Sequence, residues 1–353
     1  ASSGTYYFKS GELMQHYFQT CIEKKMTVND EYYVSLAYKS MVEDDHKVLV
    51  YEIPHFMQWG TPGDLEDYCY WSDIFKGMLN EQDSPNQLGT LIMPMVGLGS
   101  RFQKEGYDVI KPLIPVSGKP MAVQAVTDLP HTESQRFIFR KDLDRLESLK
   151  KALHEVSEAP NYLTLNQMTD GQASTCEQGA VGLDLDKPVT IGSCDNGMIY
   201  NSELFEELMM DDTVDVIVWG ARGYPGAIRS PEMYGWIEAD DNKKTILSIS
   251  VKVPLANPKK DPIVSGVFTF KRLGNFLDSV KRMKKRGEKV NGEYYIDMAI
   301  NDAIKLGLNC KLFEIDKYIC WGTPNDLRTF EYWQSCFHKW PTHPYRLEAD
   351  RKY

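Results

Sequence analysis

The chain has 353 residues, 40 Lys and Arg against 50 Asp and Glu, a formal charge of −10, 42% hydrophobic residues and 25% charged ones. That acidic balance argues against nucleic-acid and anionic-membrane partners, so any phosphate must be held by local basic groups, and no apolar run approaches the roughly 18 residues of a membrane span. The seven cysteines are odd in number with no Cys-x-x-Cys spacing, and no charged-then-apolar leader opens the chain; a disulfide framework and a zinc site are not expected, and the chain reads as cytoplasmic.

In chain order, the first segment has a counterpart further on. Ser3-Gly-Thr-Tyr-Tyr-Phe-Lys9 returns as Ser265-Gly-Val-Phe-Thr-Phe-Lys271, an offset of 262 residues. The same offset pairs Val28-Asn-Asp-Glu-Tyr-Tyr33 with Val290-Asn-Gly-Glu-Tyr-Tyr295, Trp59-Gly-Thr-Pro-Gly-Asp-Leu65 with Trp321-Gly-Thr-Pro-Asn-Asp-Leu327, and Tyr70-Trp71 with Tyr332-Trp333. Register kept without a gap marks two copies of one structural unit, and the period is that of a domain rather than a solenoid. Residues 1–79 are therefore expected to be the closing third of a preceding unit, 80–87 a polar linker, 88–340 one complete unit, and 341–353 a charged, Pro-containing tail, irregular or docked on the surface. With Ala at position 1, the expectation is a fragment of a longer tandem protein whose first unit lacks its amino-terminal core.

In the complete unit, the apolar run Leu91–Val96 suits a buried strand. Gly97 and Gly99 then permit a sharp turn that presents bare N–H groups to an anion, with Arg101 and Lys111 adding fixed positive charge; Gly-x-Gly alone is more often an ordinary turn. Lys119–Asp128 reads as a helix, Phe137–Phe139 as a strand, and Leu143–Val156 as an amphipathic helix with Leu143, Leu146, Leu149, Leu153 and Val156 on its apolar side. Pro188–Gly192 reads as a buried strand, Ser202–Leu208 as a helix opened by a Ser202 cap, and Val214–Trp219 as a strand. Tyr234–Ala239, Ile246–Val253 and Gly266–Lys271 follow as strands with fewer helices between them, and the basic run Lys281–Lys289 as the solvated face and end of a helix. The alternation predicts an α/β fold: a Rossmann-like mixed, mostly parallel sheet with helices on both faces, ligands at the carboxyl ends of its strands, and an antiparallel subdomain.

Gly97-Leu-Gly-Ser-Arg101, then Lys111-Pro-Leu113, then Gly118-Lys-Pro-Met121 resembles the amino-terminal signature of the sugar-1-phosphate nucleotidylyltransferases. A P-loop would need Gly-Lys-Ser/Thr, and the dinucleotide fingerprint a third glycine where Phe102 stands. The resemblance implies the glycosyltransferase-A-like fold of nucleotide-diphospho-sugar transferases. It also implies that Gly97, Gly99, Ser100 and Arg101 wrap the nucleotide phosphates, with Lys111 on the same phosphates. Asp195, in Ser193-Cys-Asp-Asn-Gly197, matches the metal-binding Asp, with Cys194 where the family usually has Gly; locally, Asp-Asn-Gly is also a turn signal. The usual second metal carboxylate is replaced by Cys320, leaving Glu293 or Asp297 as substitutes, although Glu293 is as readily a sugar-positioning or helix-capping residue.

Gly171-Gln172 resembles the start of the base-reading loop, with Ser174 or Thr175 as plain helix caps in the alternative. Lys252 falls at the lysine that contacts the sugar phosphate, with Val251 in place of the family's Glu, and Gly235 at the sugar-contact glycine, where strand packing alone could also demand glycine. The implied activity is magnesium-dependent transfer of a nucleoside monophosphate from an NTP to a sugar 1-phosphate, giving an NDP-sugar for surface polysaccharide synthesis, with homo-oligomerisation possible. Cytidylyl transfer to a non-sugar phosphate and a silent nucleotide-binding or regulatory module stand as alternatives.

Overall fold

The computed structural model describes residues 2–79 and 85–349, so residues 80–84 of the expected linker and 350–353 of the expected tail lie outside the described residues. The chain divides into two compact units, Ala1–Gly60 and Thr61–Tyr353.

In the first unit, α1 (Gly11–Glu23) and α2 (Val34–Glu43) pack around Tyr17, Cys21, Ala37 and Met41. The Ser10 side chain caps α1 by accepting the Leu13 N–H. The Tyr17 hydroxyl donates to Asp44 at 2.9 Å.

The second unit opens with α3 (Pro62–Gly77), whose start is fixed by a Thr61/Asp64 capping box and by Pro62 in the first turn. Its Tyr70, Trp71, Ile74 and Phe75 are buried. The Tyr70 hydroxyl donates to the Tyr318 carbonyl at 2.7 Å and accepts from the Tyr318 N–H at 3.1 Å. The division thus falls at Gly60–Thr61 rather than at the residue 79 of the repeat, because the apolar face of this helix is buried within the second unit.

The elements that follow are β1 (Asn86–Met95), α4 (Ser100–Lys104), β2 (Pro115–Val116), β3 (Lys119–Pro120), α5 (Met121–Thr127), β4 (His131–Arg140), α6 (Leu146–His154), β5 (Pro160–Leu165) and α7 (Gln172–Gly179). Next come β6 (Val189–Ile191), β7 (Asn196–Ile199), α8 (Ser202–Met210), β8 (Val216–Ala221), α9 (Pro225–Arg229), β9 (Gly235–Ala239), β10 (Ile246–Val251) and β11 (Ile263–Phe270). The unit closes with α10 (Leu273–Arg286), α11 (Ile296–Lys305), β12 (Cys310–Glu314), β13 (Lys317–Cys320) and α12 (Pro324–Lys339).

Among the described residues, nine strands form one mixed sheet in the order β10-β9-β11-β6-β1-β4-β5, with β8 on β11 and β12 on β8. The run β6-β1-β4-β5 is parallel, β12 is parallel to β8, and β11 joins the two groups antiparallel. Alternate side chains of a strand leave on opposite faces. Ile92, Ile138 and Ile191 accordingly pack with α7, α10 and α11. Phe137 and Phe139 leave on the other side, where they pack on Tyr162, whose hydroxyl donates to the Lys150 carbonyl of α6 at 2.9 Å.

Four expectations shift locally. The helix placed at Lys119 begins at Met121, because Lys119–Pro120 pair with Pro115–Val116 and the proline lacks a donor for a helix interior. The helix placed at Leu143 begins at Leu146, after a left-handed Arg145. Asn201, not Ser202, caps α8, accepting the Leu204 N–H at 3.2 Å. The first strand starts at Asn86, inside the expected linker. The tail docks: Tyr345 is fully buried with its ring 4.8 Å from Phe75, and its hydroxyl accepts from Gln334 at 3.0 Å.

Candidate active site

Strands β1 and β6 are parallel neighbours, Thr90 opposite Val189 and Ile92 opposite Ile191, so their carboxyl ends open side by side. From β1 the chain enters Gly97-Leu98-Gly99; from β6 it enters Gly192-Ser193-Cys194-Asp195. Gly99 is left-handed, with φ of 64°, and a Cβ there would lie 3.1 Å from Lys111 Cβ. The glycine turn and Lys111 therefore touch.

Lys111 joins the two loops. Its Nζ lies 2.5 Å from Asp195 Oδ2 and donates to the Gly322 carbonyl at 3.1 Å, while sitting 5.8 Å over the Phe102 ring. Ser193 Oγ donates to the other Asp195 oxygen. The Asp195 backbone is fixed in turn by the Trp321 N–H, at 2.8 Å from its carbonyl. Burial pushes the Asp195 carboxyl up, but the Lys111 charge, the hydrogen bonds from Lys111 and Ser193, and the field of Arg101 outweigh it and hold the group below the usual carboxylate range. Burial likewise works against the Lys111 ammonium, and Asp195 with the Cys194 sulfur beside it raises it above its ordinary value. Both groups are charged at neutral pH.

A second arm faces the same Arg101. Lys252, itself left-handed at φ 62°, donates from Nζ to the Met233 carbonyl; burial lowers it, Asp297 and Glu293 raise it, and Arg101 lowers it further. Asp297 stands against Gly235: a Cβ at Gly235 would fall 2.3 Å from Asp297 Oδ2, so no other residue type fits while the carboxylate is there. Burial pushes Asp297 up to about 6, with Lys252 pulling the other way. Glu293 is exposed and hydrogen-bonds to Tyr295.

Gly171 lies beside this arm for a reason of backbone packing. Its φ is 131°, and a Cβ would come 2.5 Å from both Tyr294 N and O, where Tyr294 donates to the Asp170 carbonyl at 2.8 Å and accepts from Ala173 at 3.1 Å. Gly171 is the cap of α7, while Ser174 and Thr175 lie inside the helix and do not cap it; Gln172 is its first residue.

Arg101, Lys111 and Asp195 are thus one cluster, and Lys252, Gly235, Glu293 and Asp297 form a second within its electrostatic reach. Ser193, Phe102 and the Gly322 carbonyl join the site without a strong sequence signal of their own. Gly322 carries a weaker one, in its repeated Trp-Gly-Thr-Pro setting.

The donor set fits magnesium in one form. Asp195 offers a single anionic, partly exposed carboxylate, and magnesium is commonly held by one or two carboxylates together with substrate phosphates. Cys320 stands beside it, since a Cβ at Gly322 would meet Asp195 Oδ2 at 3.2 Å and Cys320 Sγ at 3.3 Å. Burial keeps that thiol protonated, and a neutral thiol is a poor ligand for this hard cation. Among the described residues no group of three or more His, Cys, Asp or Glu side chains is arranged to hold a metal, and no helix is long and apolar enough to cross a membrane.

No protein-family model and no curated protein matches the chain. Solved structures do. A nucleoside-diphosphate-sugar pyrophosphorylase from Vibrio cholerae aligns at 20% identity and TM-score 0.55, over 68% of this chain and 98% of that one. An inositol-1-phosphate CTP transferase from T. maritima aligns at 13% identity and TM-score 0.54, over 72% and 98%. A UDP-glucose pyrophosphorylase complexed with UDP-glucose aligns at 16% identity and TM-score 0.53, over 72% and 100%. The chain has the nucleotide-sugar pyrophosphorylase fold, a mixed α/β sheet with a parallel centre.

Proposed function

We propose that the protein is a nucleotidyltransferase that moves a nucleoside monophosphate from an NTP to a sugar 1-phosphate and releases pyrophosphate. The observation that carries this is the Lys111–Asp195 contact at 2.5 Å, which sets a cation and an ionised carboxylate beside the Gly97–Arg101 turn. In the reaction, an oxygen of the acceptor phosphate forms a bond to the α-phosphorus of the NTP, and the bond from that phosphorus to the bridging oxygen of the departing pyrophosphate breaks. The acceptor oxygen is already anionic, so no general base and no covalent enzyme intermediate are required; alignment and charge neutralisation lower the barrier.

Gly97, Gly99 and Ser100 offer backbone N–H groups to the phosphates, and Arg101 and Lys111 neutralise the departing pyrophosphate. Lys252 orients the acceptor phosphate, Gly235 and Glu293 its sugar, and Gly171 with Gln172 the base. Magnesium, when bound by Asp195 and the nucleotide, supplies further charge neutralisation at the phosphates. The role we assign to the product is an NDP-sugar for surface polysaccharide synthesis in the cytoplasm.

The fold shared with an inositol-1-phosphate CTP transferase supports a second reading, cytidylyl transfer to a non-sugar phosphate. Pyrophosphate release, followed with each of four NTPs, with and without magnesium, and with sugar 1-phosphates or polyol phosphates as acceptor, tests both. Turnover with one NTP and a sugar 1-phosphate supports the first, turnover with CTP and a non-sugar phosphate the second. Nucleotide binding without release under any condition would overturn both in favour of a silent module.

A further inference from the structure

The first unit repeats the helices and turns of residues 265–322, not only their sequence. At the offset of 262, α2 (Val34–Glu43) falls on α11 (Ile296–Lys305), α1 falls on α10, and the bridge Val28–Glu31 recurs as Val290–Glu293. Left-handed backbone recurs at Gly4 and Gly266, Lys25 and Gly287, Asn29 and Asn291, Asp30 and Gly292, and Asp45 and Gly307. In the second, fourth and fifth of these pairs the residue types differ. A non-glycine residue in that region costs about 1–2 kcal/mol, so the shared path is imposed by the architecture and not by residue identity.

Three strands do not recur: among the described residues, the counterparts of β11 (2–8), β12 (48–52) and β13 (55–58) belong to no strand. Residues 48–52 correspond to β12, which pairs in parallel with β8 from Cys310 opposite Val216 to Glu314 opposite Gly220. Leu312 and Phe313 are each 2% exposed there, while their counterparts Val50 and Tyr51 are 93% and 89% exposed and belong to no strand. Tyr7, the counterpart of the fully buried Thr269 in β11, is exposed as well. Val48 alone packs inward, against the α1–α2 core. An apolar segment that joins no strand is a template for strand addition and, left bare, an aggregation hazard.

We propose that residues 48–52 are the docking edge for a β8-type parallel strand of a nucleotidyltransferase-type core. The second unit names the occupant: the strands that cover β11 and β12 are β6, β8 and β9, all of which come ahead of β11 in chain order. The covering strand supplies main-chain partners for residues 48–52 and apolar side chains, as Val216 and Val218 do for β12, against Val50 and Tyr51. This inference is independent of the catalytic reading of the second unit.

Hydrogen exchange read by mass spectrometry tests it on two proteins: the 353-residue chain, and a fusion carrying a copy of residues 85–264 ahead of Ser3, which reproduces the junction of residues 264 and 265. In the 353-residue chain the amides of 48–52 are expected to exchange freely, and Val50→Lys is expected to leave the melting temperature unchanged. In the fusion they are expected to slow by roughly a thousand-fold or more, as core strands do, and Val50→Lys is expected to abolish that protection. Slow exchange at 48–52 in the 353-residue chain would overturn the proposal. So would a dimer of that chain that Val50→Lys dissociates, which would make a second copy the occupant, or continued fast exchange in the fusion.

Discussion

Cutting the chain at its two plausible boundaries should give opposite results. Residues 80–353 contain everything the repeat assigns to the complete unit; residues 61–353 add α3. In the structure, α3 and the turn after it bury Tyr70, Trp71, Ile74, Phe75 and Met78 within the second unit. Trp71 and Phe75 lie 6.4 and 5.4 Å from Phe330 of α12, and Phe75 lies 5.6 Å from Phe337. At about 1.5–3 kcal/mol for each large apolar side chain, removing five withdraws on the order of 10 kcal/mol, an upper figure because unfolded chains bury some of this surface already. That equals the whole stability of a typical domain. Residues 61–353 should therefore melt cooperatively and elute as one species, whereas residues 80–353 should be insoluble or lack a cooperative transition by circular dichroism. A soluble 80–353 chain that melts within a few degrees of 61–353 would refute the assignment of α3 to the second unit.

Asp195→Asn should keep the circular dichroism spectrum and melting temperature near wild type while lowering pyrophosphate release about a hundred-fold or more; a loss below roughly threefold would remove the carboxylate from the chemistry. For Asp297 the sign runs with protonation: its folded pKa of about 6 lies above the unfolded value, so the folded state holds its proton more tightly, and the stability this gives at acid pH is lost as pH rises through about 6. Urea unfolding between pH 4 and 7 should show a falling contribution of at most about 3 kcal/mol that Asp297→Asn abolishes, and an unchanged pH slope in the variant would count against it. Gly171→Ala should destabilise by roughly 2–5 kcal/mol, from a positive φ and a Cβ set against Tyr294 backbone atoms, and a melting temperature equal to wild type would contradict the close approach. Cys320→Asp adds a carboxylate beside Asp195, so calorimetry should show tighter magnesium binding than wild type, and equal affinities would place position 320 outside the ion's reach.

Much of the second unit was legible because its signals are local. Strands β1, β6 and β8 are short apolar runs bounded by turn residues, and the glycines at 97 and 99 mark the end of β1 by conformation alone. The pairing of the Gly97 turn with Asp195 followed from chain order, since two parallel strands put their following loops on one edge. The Lys111 contact to Asp195, by contrast, depends on a side chain spanning eighty-four positions of sequence, which no periodicity encodes. Gly171 shows the opposite difficulty: its residue type is plain in the sequence, but the cause, backbone hydrogen bonds to Tyr294 on either side of it, is tertiary. The repeat identified α3 as kin to α12 yet not its location. Both helices open with the same capping box, a local device, whereas the choice of which unit receives the aromatic face is decided by Phe330, Phe337 and Tyr345, far along the chain.

Charge explains why an acidic protein can carry such a site. Arg101, Lys111 and Lys252 face Asp195, Asp297 and Glu293, a formally neutral group inside a chain of net charge −10. Asp297, with its proton half in place near pH 6, tilts the balance towards positive on the acid side of neutrality. A triphosphate would bring several negative charges to this cluster, more than three lysine and arginine side chains balanced by three carboxylates can offset. Under the proposed reaction the remainder comes from the bare N–H groups of the Gly97–Ser100 turn and from a divalent ion on Asp195, whose carboxylate the same Lys111 keeps ionised. On that proposal Lys111 has two partners in turn: Asp195 when no nucleotide is bound, and the phosphates when the ion takes its place on that carboxylate. Under the proposed reaction, that exchange makes nucleotide and ion binding mutually reinforcing.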